Sequence, residues 1–167
     1  MALLQSNLAY QYASHAICFF GIVVSFYALI VELEKEYNPS YRPSCDISES
    51  ISCTKAFMSR WGKGLGLIEP IFGANHWLNQ RNPVFGIFGY SFLMFLGMFS
   101  SMFAVQLFYL LSVFLNVTSV YLALVLYFKV GSLCLVCVTM YAINAVLLVL
   151  AIYRRRHVKR YLRKKIR

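Results

Sequence analysis

The chain has 167 residues, of which 60% are hydrophobic and 13% charged, with a formal net charge of +10. That length suits one domain, and the apolar content is well above the roughly 45–50% of soluble domains. Ala13–Ile30, Val84–Phe128 and Ser132–Tyr153 carry no Lys, Arg, Asp or Glu, and the middle run extends over 45 residues, which leaves a soluble helical bundle almost no polar face.

A membrane helix needs about 20 apolar residues. The first and last uncharged runs each supply one span, and the middle run supplies two with a break near Ser100-Ser101 or Gln106. The expected fold is all-α: a polytopic membrane protein with a four-transmembrane-helix bundle, the helices at about 12–31, 83–103, 107–128 and 133–153. Residues 1–167 then form a single membrane domain, with a loop or lid at 32–82 between helices 1 and 2 and a basic tail at 154–167. Met1–Ser14 has no positive n-region and no clear cleavage site follows it, so a signal peptide is not expected.

The charges are segregated. All six acids (Glu32, Glu34, Glu36, Asp46, Glu49 and Glu69) lie between helices 1 and 2, together with six bases. Nine of the sixteen bases lie in Arg154–Arg167. The positive-inside rule puts that tail in the cytoplasm, four spans return the N-terminus there, and the loop falls on the other side. A nine-charge tail beside a membrane helix reads as a topology anchor on anionic lipid rather than as a nucleic-acid patch. The Lys164-Lys165-Ile166-Arg167 terminus resembles a retrieval signal for the endoplasmic reticulum, whose lumen permits disulfide chemistry. Asn38-Pro39-Ser40 is blocked as a glycosylation site by its proline, and Asn116-Val117-Thr118 lies inside a predicted span.

In the loop, a short helix starting at Cys53 would stack Cys53, Phe57 and Trp61 on one face. The segment Trp61–Ile68 reads as a flexible apolar lid lying on the membrane, with Trp61 at headgroup depth. Asn82-Pro83 is a helix start, with Asn82 expected as the cap of helix 2. Helix 4 opens at Ser132, expected as its N-cap, where the unpaired N–H groups and the helix dipole favour a thiolate on the first turn. Residues 134, 137 and 141 share one helix face, so Tyr141 projects beside both thiols.

Of the five cysteines, Cys18 sits mid-membrane and reads as a small apolar residue. Cys45, Cys53, Cys134 and Cys137 admit three readings. A zinc site is disfavoured by the loose Cys-x7-Cys spacing, so no metal is expected. Inert structural disulfides are possible, but a bridge across Cys134-Leu135-Val136-Cys137 closes too short a loop to stabilise much. A redox relay is the favoured reading, because tight Cys-x-x-Cys pairs are reducible.

Cys45-Asp46, Ile51-Ser52-Cys53, Ser59–Gly64, Leu78-Asn79-Gln80, Asn82, Phe85-Gly86, Ser119–Ala123 and Cys134–Asn144 together resemble the vitamin K epoxide reductase family over nearly the whole chain. The resemblance implies a four-helix bundle around a quinone pocket. It implies that Cys137 attacks the vitamin K ring and that Cys134 resolves the adduct. Cys45 and Cys53 would form the loop pair that takes electrons from a thioredoxin-like or protein disulfide isomerase-type thiol donor, Cys53 passing them to Cys134. Asn82 and Tyr141 would hydrogen-bond the quinone oxygens, with Phe57 lining the head-group site. No tightly bound cofactor is implied; vitamin K and coumarin inhibitors such as warfarin are the implied ligands, in an endoplasmic reticulum membrane. The tail is more basic than the family pattern; the charged loop before Cys45 is like that of the close paralogue, while Ile51-Ser52-Cys53 is more like the reductase proper, so the two are not told apart. Two other functions fit the same cysteines: a quinone-dependent thiol oxidase serving partner proteins, and a non-enzymatic four-span scaffold with structural disulfides.

Overall fold

The computed structural model describes residues 2–166, with side chains described for residues 8–163. Among these the chain is helical, and no strand longer than an isolated bridge forms. Four long helices make the body: α1 (Ala2–Tyr37), α4 (Asn82–Gly97), α5 (Met102–Val125) and α6 (Leu135–Ile166). Two five-residue helices, α2 (Cys53–Phe57) and α3 (Ile68–Phe72), and two 3-10 turns lie in the segment between α1 and α4. α1 packs along α4 and α6, and α5 packs along α6 and α4.

Three helices are long and apolar enough to cross a membrane, over Leu8–Tyr37, Met102–Val130 and Leu135–Arg163. The fourth, α4, is apolar but has only 16 residues, about 24 Å at 1.5 Å per residue. The expected break in the middle run falls at Met98–Ser101, where Ser101 caps α5 by accepting from the Ala104 N–H. Two helices outrun their expected ends. α1 continues through Glu32–Tyr37, and α6 continues through the basic tail. Glu, Lys and Arg are good helix formers, so the charges mark the end of the apolar run rather than the end of the helix.

Polarity is arranged as expected for a protein in lipid. Phe19, Phe20, Phe88, Phe103, Phe114 and Val117 face outward, while Ser14, Ser25, Ser112, Ser119 and Asn144 are buried between helices. Small and polar residues let helices approach closely where no hydrophobic effect drives them together. The clearest case is Gly21 on α1. A Cβ there would lie 2.9 Å from the ring of Tyr90 on α4, which is itself buried. The inter-helix core is built on Cys18, Tyr90, Leu93, Phe108 and Leu147. At the end opposite the loop, buried Arg154 of α6 donates to the carbonyls of Gly97 (3.1 Å) and Phe99 (2.7 Å), binding the last turn of α4.

The α1–α4 contact leaves no room for a methyl group. Gly21→Ala is expected to destabilise the fold by about 1–3 kcal/mol through overpacking, read as a lower midpoint of thermal unfolding in detergent. An unchanged midpoint would mean that Tyr90 is free to move.

Candidate active site

Two backbone bridges shape the loop end of the bundle. In the first, the Ser52 N–H donates to the Leu133 carbonyl (2.9 Å) and the Leu133 N–H donates to the Ser50 carbonyl (2.8 Å), with Ile51 and Leu133 paired in parallel. Cys53 and Cys134 each follow this bridge directly, one in either segment. In the second, Lys63 pairs with Arg81, and the Gly64 N–H donates to the Gln80 carbonyl (2.7 Å). It folds the segment between the 3-10 turns back over the start of α4.

The first bridge brings the four loop-end cysteines into one cluster. Cys45, Cys53 and Cys134 are buried there with Phe57 and Val136, and half-buried Cys137 packs against them. Cys45 and Cys53 form a disulfide, while Cys134 and Cys137 are free thiols. Ser132 is not the cap of α6. Gly131 turns the chain with φ 65°, Ser132 bends, and Leu133 pairs with the loop before the helix begins. Cys134 stands at the N-cap instead, its Sγ accepting the Cys137 N–H at 3.2 Å, while its carbonyl accepts the Val138 N–H at 3.0 Å. The buried Ser132 hydroxyl has no hydrogen-bond partner among the described residues.

Beside the cluster lies a cavity of about 390 Å³ between α4, α5 and α6, closed at the loop end by the lid. Cys137, Tyr141 and Asn144 line it from α6, Asn82 and Tyr90 from α4, and Phe57 from α2. All three residues expected at a substrate site therefore share one cavity with Cys137. Cys134, Cys45 and Cys53 do not line it; they stand behind Phe57 and Val136. The walls are otherwise almost wholly apolar. The Tyr141 hydroxyl, one turn deeper than Cys137, makes no hydrogen bond to another described residue.

Asn82 is not the cap of α4 either. It is the first helical residue, after Arg81 at the N-cap. Its side chain holds the lid: Nδ2 donates to the Trp61 carbonyl (2.7 Å) and Oδ1 accepts the Leu65 N–H (2.9 Å). An amide nitrogen carries two hydrogens, so one donor remains after the bond to Trp61. Leu65 has φ 57°, between Gly64 and Gly66, whose φ angles are also positive. The Tyr121 hydroxyl donates to its carbonyl at 3.2 Å, and the Trp61 ring meets Tyr121 edge-on. Trp61 is thus an anchor of the lid on a separate 3-10 turn and not a continuation of α2, which ends at Phe57.

Sequence reasoning missed two further groups. The first is the polar floor of the cavity. Tyr90 Oη donates to Asn144 Oδ1 (2.9 Å), Asn144 Nδ2 donates to Ser119 Oγ (2.8 Å), and Asn116 Nδ2 donates to the Asn144 carbonyl (2.8 Å). The signal was the continuation of the 137, 141 stripe to 144, one more step of three. The second is an ionic clasp at the lid edge. Arg81 pairs with buried Glu32 (3.4 Å) and with Glu36, and Lys63 reaches Glu36 at 3.5 Å. Glu32 and Glu36 lie four apart on a helix that was expected to end before them.

The disulfide sits beside a carboxylate. Asp46 Oδ1 accepts from Ser52 Oγ (3.0 Å) and from the Thr54 N–H (3.1 Å), and Oδ2 accepts from Thr54 Oγ1. Partial burial alone would raise the Asp46 carboxyl, but the bonds from Thr54 and Ser52 outweigh it and hold the group below the ordinary carboxylate range.

The Vitamin K epoxide reductase family model matches residues 12–152. The chain belongs to the vitamin K epoxide reductase family. The rat (Rattus norvegicus) protein "Vitamin K epoxide reductase complex subunit 1" is 42% identical over 136 residues, covering 81% of this chain and 84% of the relative. The mouse (Mus musculus) protein of the same name is 41% identical over the same shares. As a member of this family the chain is an oxidoreductase, and its loop disulfide and reduced Cys-x-x-Cys suit that class.

The Asp46 carboxyl is depressed on folding, so it stabilises the loop above the unfolded carboxylate range, near 4, and that stability is lost as pH falls through its lower folded value. Amide exchange at Cys53 and Thr54 in detergent should therefore lose protection on acidification below that range. Asp46→Asn should remove the pH dependence and leave a uniformly lower protection.

Proposed function

We propose that this protein reduces vitamin K 2,3-epoxide to the quinone and the quinone to the hydroquinone, using Cys134 and Cys137 recharged by Cys45 and Cys53. The observation that carries this reading is the division of the cysteines: Cys137 alone opens on an apolar cavity, and the other three are packed behind it. A cavity of about 390 Å³ lies within the usual range for small-molecule sites, which are mostly apolar with a few placed polar groups.

The Cys137 thiolate adds to the ring, and the epoxide C–O bond opens with its oxygen taking a proton. Cys134 then attacks Cys137 Sγ, forming the S–S bond and releasing the ring, which eliminates water to give the quinone. Two thiols have become one disulfide, matching the two electrons gained. Once the pair is reduced again, a second round converts quinone to hydroquinone: two thiols become one disulfide, and the ring takes up two electrons and two protons with no water lost. Tyr141 and the free N–H of Asn82 donate to the oxygens as they gain negative charge, and such donors typically contribute ~2.7–4 kcal/mol each. The Cys134 sulfur already sits against the backbone of Cys137 at 3.2 Å, which gives its attack a high effective concentration.

Recharging follows the bridge. A reduced thioredoxin-like or protein disulfide isomerase-type donor opens Cys45–Cys53. The Cys53 thiolate attacks Cys134, and Cys45 resolves that mixed disulfide. The membrane arrangement that suits this traffic has four spans, with α4 as the short one, both termini cytoplasmic, and the cysteines in the lumen of the endoplasmic reticulum. Coumarins such as warfarin would compete for the same cavity.

The test is turnover of vitamin K epoxide by purified protein in detergent, with dithiothreitol as reductant. Cys137→Ser should abolish turnover. Tyr141→Phe should lower kcat by about 10²–10³. Cys53→Ala should retain dithiothreitol-driven turnover but lose turnover driven by a protein dithiol. A wild type inert toward vitamin K epoxide but active on ubiquinone would replace this reading with the thiol oxidase.

A further inference from the structure

Reduction of the loop disulfide would free two sulfurs beside a carboxylate. Cys45 Sγ, Cys53 Sγ and a carboxylate oxygen of Asp46 lie within 4.8 Å of one another. The two sulfurs are buried and Asp46 is half-buried. The carboxylate is oriented by three donors from Ser52 and Thr54, and Oδ2 accepts from Thr54 alone, so it keeps a lone pair. Donors of this kind orient the carboxylates that ligate metal ions.

We propose that the reduced loop pair and Asp46 bind a thiophilic divalent ion of the zinc class, and that the bound ion halts the relay at the loop. Two thiolates and a carboxylate supply three ligands of a tetrahedral ion, with the fourth position open to water. Thiolates on tetrahedral zinc lie roughly 3.8 Å apart, from Zn–S bonds of about 2.3 Å. The Cα atoms of Cys45 and Cys53 are 5.8 Å apart, so side-chain rotation is enough to reach that spacing once the S–S bond is broken. Soft sulfur donors select zinc and cadmium over magnesium and calcium.

The site exists in one redox state only. A dithiol donor breaks the Cys45–Cys53 bond, two thiols form, and the donor leaves as a disulfide. The ion then displaces the two thiol protons to solvent, and no electron passes to the metal. Metal-bound Cys53 cannot attack Cys134, so the relay waits until the ion is removed. Cys134 and Cys137 are the weaker competitor: they offer two sulfurs, and the cavity beside Cys137 has no carboxylate in its lining. The consequence for turnover rests on the relay proposed above; the binding does not.

The experiment is a titration of the full chain in detergent, reduced with a phosphine and freed of it, with Cd²⁺. It is read by the ultraviolet thiolate-to-cadmium band and by the stoichiometry of bound metal. One ion per chain is expected for wild type and for Cys134→Ser/Cys137→Ser, and none for the oxidised protein or for Cys45→Ser/Cys53→Ser. Asp46→Asn should weaken binding at least about tenfold. If that variant does not accumulate, Thr54→Val, which keeps the carboxylate but loses one of its donors, must weaken binding several-fold. A band that survives loss of the loop thiols, disappears with the Cys-x-x-Cys pair, or ignores these substitutions at Asp46 and Thr54 overturns the proposal. Because no vitamin K is present, failure here and failure of the reductase reading are separately visible.

Discussion

The site depends on two hydrogen bonds between peptide groups, those that tie Ser50 and Ser52 to Leu133. The partners are about eighty residues apart in sequence, and the bonds involve no side chain. They do two things at once. They set Cys53 next to Cys134, and they hold Leu133 in the bridge, with α6 beginning only at Leu135. The delay puts Cys134 at the N-cap, where its sulfur meets the Cys137 N–H. Without the bridge, helix propensity would let α6 start earlier, and both cysteines would turn with the helix face.

The lid is held by the same kind of economy. Asn82 spends one donor and its acceptor on Trp61 and Leu65, and Tyr121 closes the Leu65 carbonyl. Leu65 occupies a left-handed conformation that L-residues adopt at a cost, and two helices hold it there, α4 through Asn82 at its N–H and α5 through Tyr121 at its carbonyl. A residue that lines the cavity is therefore also a tether of its cover. Any ligand that engages Asn82 acts on the lid through the same side chain, so binding and closure are coupled at one amide.

Much of this was legible beforehand. The uncharged runs gave the bundle, and the spacing of 134, 137 and 141 gave the stripe that reaches the cavity. The resemblance to the reductase family named the same four cysteines that pack together. What was not legible has specific causes. Hydropathy reports where lipid ends, not where a helix ends, so α1 was cut before Glu32 and its clasp with Arg81 was missed. Ser is a better N-cap than Cys by propensity, so Ser132 was expected there; a long-range backbone bridge overrode it. Asn82 before Pro83 carries the pattern of a cap, and nothing in that pattern shows that the side chain turns toward Trp61 and Leu65. The Tyr90–Asn144–Ser119 floor joins three helices, and no local spacing could join them in advance.

The relay proposed above asks for two environments, a polar one for thiol exchange and an apolar one for the ring. On this relay, exchange with a protein donor takes place at the loop, where half-buried Asp46 stands beside the buried Cys45–Cys53 disulfide. Addition of a thiolate to a ring whose oxygens gain charge profits from a dry cavity, where donors act at low dielectric. A single cysteine pair cannot sit in both places. Stacking two pairs solves this, provided the electrons cross between them without opening the cavity to water. Phe57 and Val136 form the partition: both are buried in the cysteine cluster and both line the cavity. Cys137 is the sulfur placed on the far side of it. The bridge beside the partition is made of backbone alone, so no cysteine sulfur takes part in it. On that relay, the cysteines exchange partners on one side of Phe57 and Val136 while the cavity lies on the other.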